Sequence, residues 1–235
     1  GGQTLLPTLK QRLAQPTDLI DLSGIGSLSS IEVGQFVKVG AMTTHAEVAS
    51  SKEIQKALPA LSDLAEGIGD PQVRNRGTIG GSVANNDPAA DYPAVCLALN
   101  AIITTNKREI TADDFFTGMF DTALDEGELI TSISFPIPEK AAYMKFPNPA
   151  SRYALVGVFV AKMSSGARVA VTGAGEDGVF RASNLEDALN QHFSAESLND
   201  LSISPDGLLS DIHAQNDYRA SLVVTMAKRA VTAAS

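Results

Sequence analysis

Two short glycine stretches stand out as residues that could do chemistry. Gly1-Gly2-Gln3-Thr4 runs straight into a leucine-spaced segment, and Thr78-Ile79-Gly80-Gly81-Ser82 lies in a stretch with almost no periodicity. Glycine lets a backbone approach a ligand closely, and successive exposed amides make an anion-binding nest that a helix N-terminus reinforces. Two such stretches meeting in space would grip a diphosphate without Lys or Arg. On residue type alone, two ordinary turns account for them at least as well.

Between them and the next apolar run, Asn85, Asn86, Asp87 and Asp91 cluster with Pro88 and Pro93. Amides and carboxylates beside a phosphate nest suit vicinal hydroxyls, because they both donate and accept. The competing reading is that the asparagines satisfy their own turn. A metal is poorly served, since the nearby carboxylates are only Asp87 and Asp91 and no histidine accompanies them. No metal site is expected.

Other chemistries find little support. Gly173-Ala174-Gly175-Glu176-Asp177-Gly178 matches G-x-G-x-x-G, but Val179-Phe180-Arg181 continues as a strand where a dinucleotide fingerprint needs a helix, so a hairpin turn is expected. His45, His192 and His213 have neither ligand spacing nor triad neighbours and read as surface or packing residues. There is no G-x-S-x-G elbow. The single cysteine, Cys96, sits in an apolar run and reads as core; one thiol excludes an internal disulfide and an all-cysteine cluster cage. No catalytic acid, base or nucleophile is evident, a pattern that suits a protein whose cofactor carries the chemistry.

The elements that must position these residues are read from periodicity. Thr4 is expected to cap a helix through Leu5, Leu6, Leu9 and Leu13, with strands at Asp18–Leu22 and Phe36–Gly40. Thr44 and Glu47 have capping-box spacing for a helix containing His45, and another helix runs from Pro59 to Gly67 or Gly69. Residues 70–91 read as one long binding loop, ordered because glycine alternates with apolar anchors. Strands at Ile102–Thr105 and Glu128–Phe135 flank a short helix near Asp113–Phe116. Pro136 and Pro138 mark a domain boundary, giving domains 1–137 and 138–235. The second should hold strands at 153–163, 168–172 and 179–181, then helices at 185–193 and 218–230. With 235 residues, 44% of them hydrophobic, the chain can build one large core or two modest ones. A net charge of −9 with no basic stripe argues against nucleic acid and anionic membrane, and no apolar run reaches the roughly 18–20 residues of a membrane span. No secretory signal is visible, so a cytoplasmic protein is expected.

At this point the residues resemble a family. Gly1-Gly2-Gln3-Thr4-Leu5-Leu6-Pro7, then Arg74 through Ser82 with Asp87-Pro88-Ala89-Ala90-Asp91, then Pro149-Ala150-Ser151-Arg152-Tyr153-Ala154-Leu155-Val156, are similar in order and type to motifs of the FAD-binding medium subunits of molybdenum hydroxylases, the carbon monoxide dehydrogenase and xanthine dehydrogenase group. The closing Tyr218-Arg219-Ala220 helix is similar too. The resemblance spans the chain, and its second motif is long enough to be specific.

It implies an α+β protein: a two-lobed FAD-binding domain of the vanillyl-alcohol-oxidase/CO-dehydrogenase type, then a small α/β C-terminal domain. Family members carry a few dozen residues before the first motif, so the chain is expected to begin inside the flavin lobe. By the resemblance, Gly1, Gly2, Gln3 and Thr4 bind the pyrophosphate from one side, and Thr78, Gly80 and Gly81 from the other. Asn85 and Asp91 address hydroxyls, and Leu129 and Ile130 pack near flavin or adenine. Lys145 stands beside the isoalloxazine, where a cation would stabilise the reduced, anionic cofactor; from the residue alone, a snorkelling surface lysine is an equal reading. The implied role is electron transfer within a complex. A large subunit would hold the molybdenum cofactor, a small one the [2Fe-2S] clusters, and the assembly would be a dimer of heterotrimers. A stand-alone flavin reductase of the same fold and a non-enzymatic interaction module are the alternatives.

Overall fold

The computed structural model describes residues 1–234. Two antiparallel sheets organise them, with helices filling the connections. In chain order the elements are α1 (Leu5–Lys10), β1 (Ile31–Val33), β2 (Phe36–Gly40), α2 (His45–Ser50), α3 (Lys52–Ala57), α4 (Pro59–Glu66), α5 (Pro71–Arg74), α6 (Ile79–Asn85) and α7 (Tyr92–Leu99). There follow β3 (Ile102–Thr105), β4 (Glu109–Thr111), α8 (Ala112–Phe115), β5 (Phe116–Gly118), β6 (Asp121–Thr122) and β7 (Ile130–Pro136). The remainder comprises β8 (Lys140–Pro147), β9 (Ala154–Met163), β10 (Gly166–Gly175), β11 (Gly178–Arg181), α9 (Ser183–Gln191) and α10 (Asn216–Ala234).

The first sheet has the order β1-β2-β7-β3-β4. Its centre is fixed by apolar pairs, Val37 opposite Phe135 and Ile103 opposite Ile133, all fully buried. The second sheet is a meander, β11-β10-β9-β8. Side chains on a strand alternate between faces. On β9, Val156, Val158 and Val160 accordingly pack in one core with Val223, Met226 and Ala227 of α10, while Phe159 and Ala161 turn to the other core.

That other core belongs to the first sheet, and α7 joins the two. Every residue of α7 is buried, Cys96 included, as expected of a helix apolar on all sides. Burial pushes the Cys96 thiol well above its usual range.

Several expected elements form as read. Thr44 and Glu47 make a full capping box: Glu47 N donates to Thr44 Oγ1 at 3.2 Å and Thr44 N donates to Glu47 Oε2 at 2.7 Å. Residues 173–178 form the β10–β11 hairpin, with Gly175 paired to Gly178. Others differ. Asp18–Leu22 is irregular, and Leu19 and Ile20 are exposed, because no neighbouring strand pairs with it. The first helix ends at Lys10 without a side-chain cap from Thr4, and Leu5, Leu6 and Leu13 remain exposed. The expected loop at 70–91 contains two short helices, each capped by a side chain: Asp70 accepts from Val73 N and Thr78 from Gly81 N. No helix among the described residues is long and apolar enough to cross a membrane.

Candidate functional site

The two glycine stretches adjoin. A Cβ built on Gly1 would stand 2.5 Å from the carbonyl oxygen of Arg76 and 3.2 Å from the Cα of Gly77, so the backbones touch only because Gly1 has no side chain. Gly1, Gly2, Gln3 and Thr4 line one cleft of about 600 Å³, together with Gly77, Thr78, Gly81 and Ser82. That volume lies within the roughly 300–1,000 Å³ of small-molecule sites. The amides of Gln3 and Thr4 donate to no acceptor among the described residues, as first-turn helix donors do.

Gly80 is not brought to the cleft. Its amide donates to the carbonyl of Ala41 at 2.9 Å, and a Cβ there would meet the Ala41 Cβ at 2.5 Å. The Ile79 amide likewise donates to Thr43 O at 3.1 Å. These bonds pin the start of α6 to the turn after β2.

Asn85, Asp87 and Asp91 line the same cleft. Asp87 Oδ1 accepts from Ala89 N at 2.9 Å and so closes a turn of its own. Asp91 is buried at 5% exposure yet does not cap its own helix. Its carboxylate instead meets β8: Tyr143 Oη donates to Oδ1 at 2.5 Å, and Lys145 Nζ stands 3.0 Å from Oδ1 and 3.2 Å from Oδ2. Burial raises the Asp91 carboxyl above its ordinary value, opposed by the Lys145 charge and the Tyr143 hydrogen bond.

Lys145 is not among the residues lining the cleft; its ammonium contacts Asp91 and Gly67 O, the latter at 2.8 Å. Leu129 and Ile130 also lie outside the cleft walls. Leu129 is half exposed and pairs with Asn106, and Ile130 is buried in the first core at the start of β7.

Sequence reasoning overlooked two contributors. Ser151, Arg152 and Tyr153, on the β8–β9 connection, line the cleft. Asn148 Oδ1 ties that loop down, accepting from Ala150 N at 2.9 Å and Ser151 N at 3.2 Å, and Arg152 reaches Gly69 O at 3.3 Å. Tyr153 is half exposed, and its phenol is raised by burial and then by the charges of Asp87 and Asp91. The third motif carried this signal. His45 is the other contributor: it lines the cleft at 5% exposure, its ring lies tilted at 43° to that of Tyr92 with centroids 5.3 Å apart, and its Nδ1 has no hydrogen-bond partner. Burial is the main reason its pKa falls to about 4. Only its position inside the capping-box helix could have flagged it. No group of metal-ligating side chains occurs among the described residues.

The two glycine stretches thus share one cleft with Asn85, Asp87 and Asp91 on this two-sheet frame. Residues 1–138 match the family described as FAD binding domain in molybdopterin dehydrogenase, and the chain belongs to it. It is 35% identical to the nicotine 6-hydroxylase medium subunit of Paenarthrobacter nicotinovorans, across 100% of this chain and 88% of that protein. It is also 35% identical to the carbon monoxide dehydrogenase medium chain of Hydrogenophaga pseudoflava, across 100% of this chain and 87% of that one. Among solved structures it is similar to a Cu,Mo-CO dehydrogenase, with a TM-score of 0.87 at 31% identity over 99% of this chain and 87% of the other. The quinoline 2-oxidoreductase of Pseudomonas putida 86 matches with a TM-score of 0.87 at 30% identity over the same shares. The chain is thus an FAD-binding oxidoreductase subunit, and relatives named as medium chains imply larger and smaller companions.

Proposed function

We propose that this chain is the electron-exit subunit of a heteromeric molybdenum hydroxylase. It would take electrons that originate at a molybdenum centre in a large subunit and cross [2Fe-2S] clusters in a small one, and deliver them to a terminal acceptor. The convergence of Gly1–Thr4 and Gly77–Ser82 on one cleft carries this reading. The lone cysteine supports the division of labour, since a [2Fe-2S] cluster of the common kind needs four thiolates and these must come from another chain.

FAD, when bound, supplies redox chemistry in one-electron or two-electron steps, and the protein supplies its binding and orientation. The free amides of Gln3 and Thr4, with Gly1, Gly2, Thr78 and Gly81, are suited to a diphosphate. Asn85 and Asp91 are suited to hydroxyls, and Ser151–Tyr153 to covering the ligand from the second domain. Lys145 would act on the ligand through Asp91, and Gly80, Leu129 and Ile130 through the packing beneath it. We place the domain boundary at 137/138, where Pro136, Ile137 and Pro138 link β7 to β8.

The test is native purification of the chain with whatever assembles on it. A yellow complex is expected, with one FAD per chain, molybdenum and iron on metal analysis, and a mass fitting two copies of each of three subunits. A colourless chain that gains no thermal stability from FAD would overturn the proposal.

A further inference from the structure

Tyr143 is not itself a wall of the cleft, yet it bonds Asp91, the buried carboxylate that is. We infer that Tyr143 is a positioning residue for the cofactor, fixing the Asp91 carboxylate so that Oδ2 is presented to the ligand. This rests on the cleft being the FAD site.

Tyr143 and Lys145 are two apart on β8 and share a face, so both reach Asp91 from the second sheet. An ionised carboxylate has about four acceptor positions on its two oxygens. Tyr143 and Lys145 both engage Oδ1, at 2.5 and 3.0 Å, while Oδ2 has only the longer 3.2 Å contact with Lys145. The remaining acceptor capacity of Oδ2 is free for a ligand hydroxyl.

The tyrosine is itself held. Its ring stacks on Phe159 at 6.3 Å with a 29° interplanar angle. Its hydroxyl occupies the space over Gly157, where a Cβ would come within 2.1 Å of Oη. Gly157 pairs with Lys145 across β8 and β9, so the strand that carries the clasp also leaves room for it. The positioning device therefore lies wholly in the second domain and acts on a residue of the first.

The test is equilibrium titration of the deflavinated chain with FAD, alongside the thermal midpoint of the FAD-free protein. Tyr143→Phe keeps the stacked ring and should weaken FAD binding on the order of tenfold, the scale of a hydrogen bond to a charged group. Gly157→Ala, whose Cβ would meet the Tyr143 hydroxyl at 2.1 Å and Thr172 Cγ2 at 2.9 Å, should weaken it at least as much. In an Asp91→Ala background, where the acceptor is gone, Tyr143→Phe should add less than about twofold, the non-additivity of residues acting as a unit. A merely structural tyrosine would lower the thermal midpoint and add its full effect in both backgrounds. Wild-type protein that binds FAD while Tyr143→Phe binds it equally well, or additive effects in the double variant, would overturn the inference. Wild-type protein that takes no FAD would instead overturn the cleft assignment beneath it.

Discussion

Gly80 and Ala41 are joined backbone to backbone. The Gly80 amide donates to the Ala41 carbonyl at 2.9 Å, and a Cβ on Gly80 would stand 2.7 Å from that oxygen. Its neighbour Gly81 is different: it is exposed, lines the cleft, and its added Cβ would meet only the Thr78 hydroxyl, at 3.0 Å.

The two glycines should therefore fail differently. Gly80→Ala forces backbone apart and should cost about 2 kcal/mol, lowering the melting temperature by roughly 4–8 °C. Gly81→Ala should melt within about 2 °C of wild type but take up FAD several-fold more weakly. Thermal melts of the FAD-free protein and an FAD titration separate the two.

Arg219 should be among the costliest side chains to remove. It is 2% exposed and donates to Leu155 O at 2.6 Å, Gly173 O at 2.7 Å and Asp211 Oδ2 at 2.8 Å. Arg219→Met keeps the apolar stem but strands two buried carbonyls. About 3 kcal/mol of destabilisation is expected in urea unfolding; a loss under 1 kcal/mol would contradict this account.

His45 predicts a pH dependence. Its pKa is depressed from 6.5 to about 4 in the folded chain. Between those values the unfolded chain binds a proton that the folded chain does not, so stability is held above 6.5 and lost as pH falls toward 4. The loss should approach roughly 3 kcal/mol. In His45→Gln the slope of unfolding free energy against pH should flatten by about one proton in this window.

Asn86 anchors a hairpin far along the chain. It adopts a left-handed conformation at φ 42°, and its Nδ2 donates to Gly118 O and Asp121 O, each at 2.8 Å. Asn86→Ala loses both bonds and keeps the strained backbone, so about 2 kcal/mol is expected, with faster proteolysis at residues 116–122. Unchanged cleavage there would show that the hairpin is held by other contacts.

Local chemistry was legible in the sequence wherever a few neighbouring residues decide the outcome. The Thr44–Glu47 box, the turn at 173–178 and the proline-bounded helix at Pro59 are of this kind. The meeting of the two glycine stretches was legible through motif order, because spacing gave no preference over ordinary turns. What escaped depends on partners distant along the chain. Asp18–Leu22 alternates as a strand should, yet no strand lies beside it. Strand β8 passed unread because prolines bracket it at Pro136, Pro138 and Pro147, and its pairing partner comes later in the chain. Nothing nearby in sequence shows that the Lys145 ammonium contacts Asp91 and Gly67. The Gly80–Ala41 bond is hidden from the sequence for the same reason.

Helix α7 has a consequence for how such a protein could be taken apart. Its flanks are shared between both sheets, and Phe159, Ala161 and Ala170 from the later half complete the core of the earlier one. A gene cut at the 137/138 boundary would thus expose the apolar face that Phe159, Ala161 and Ala170 share with the first core. Shuffling of the parts by recombination should be tolerated only when both halves travel together.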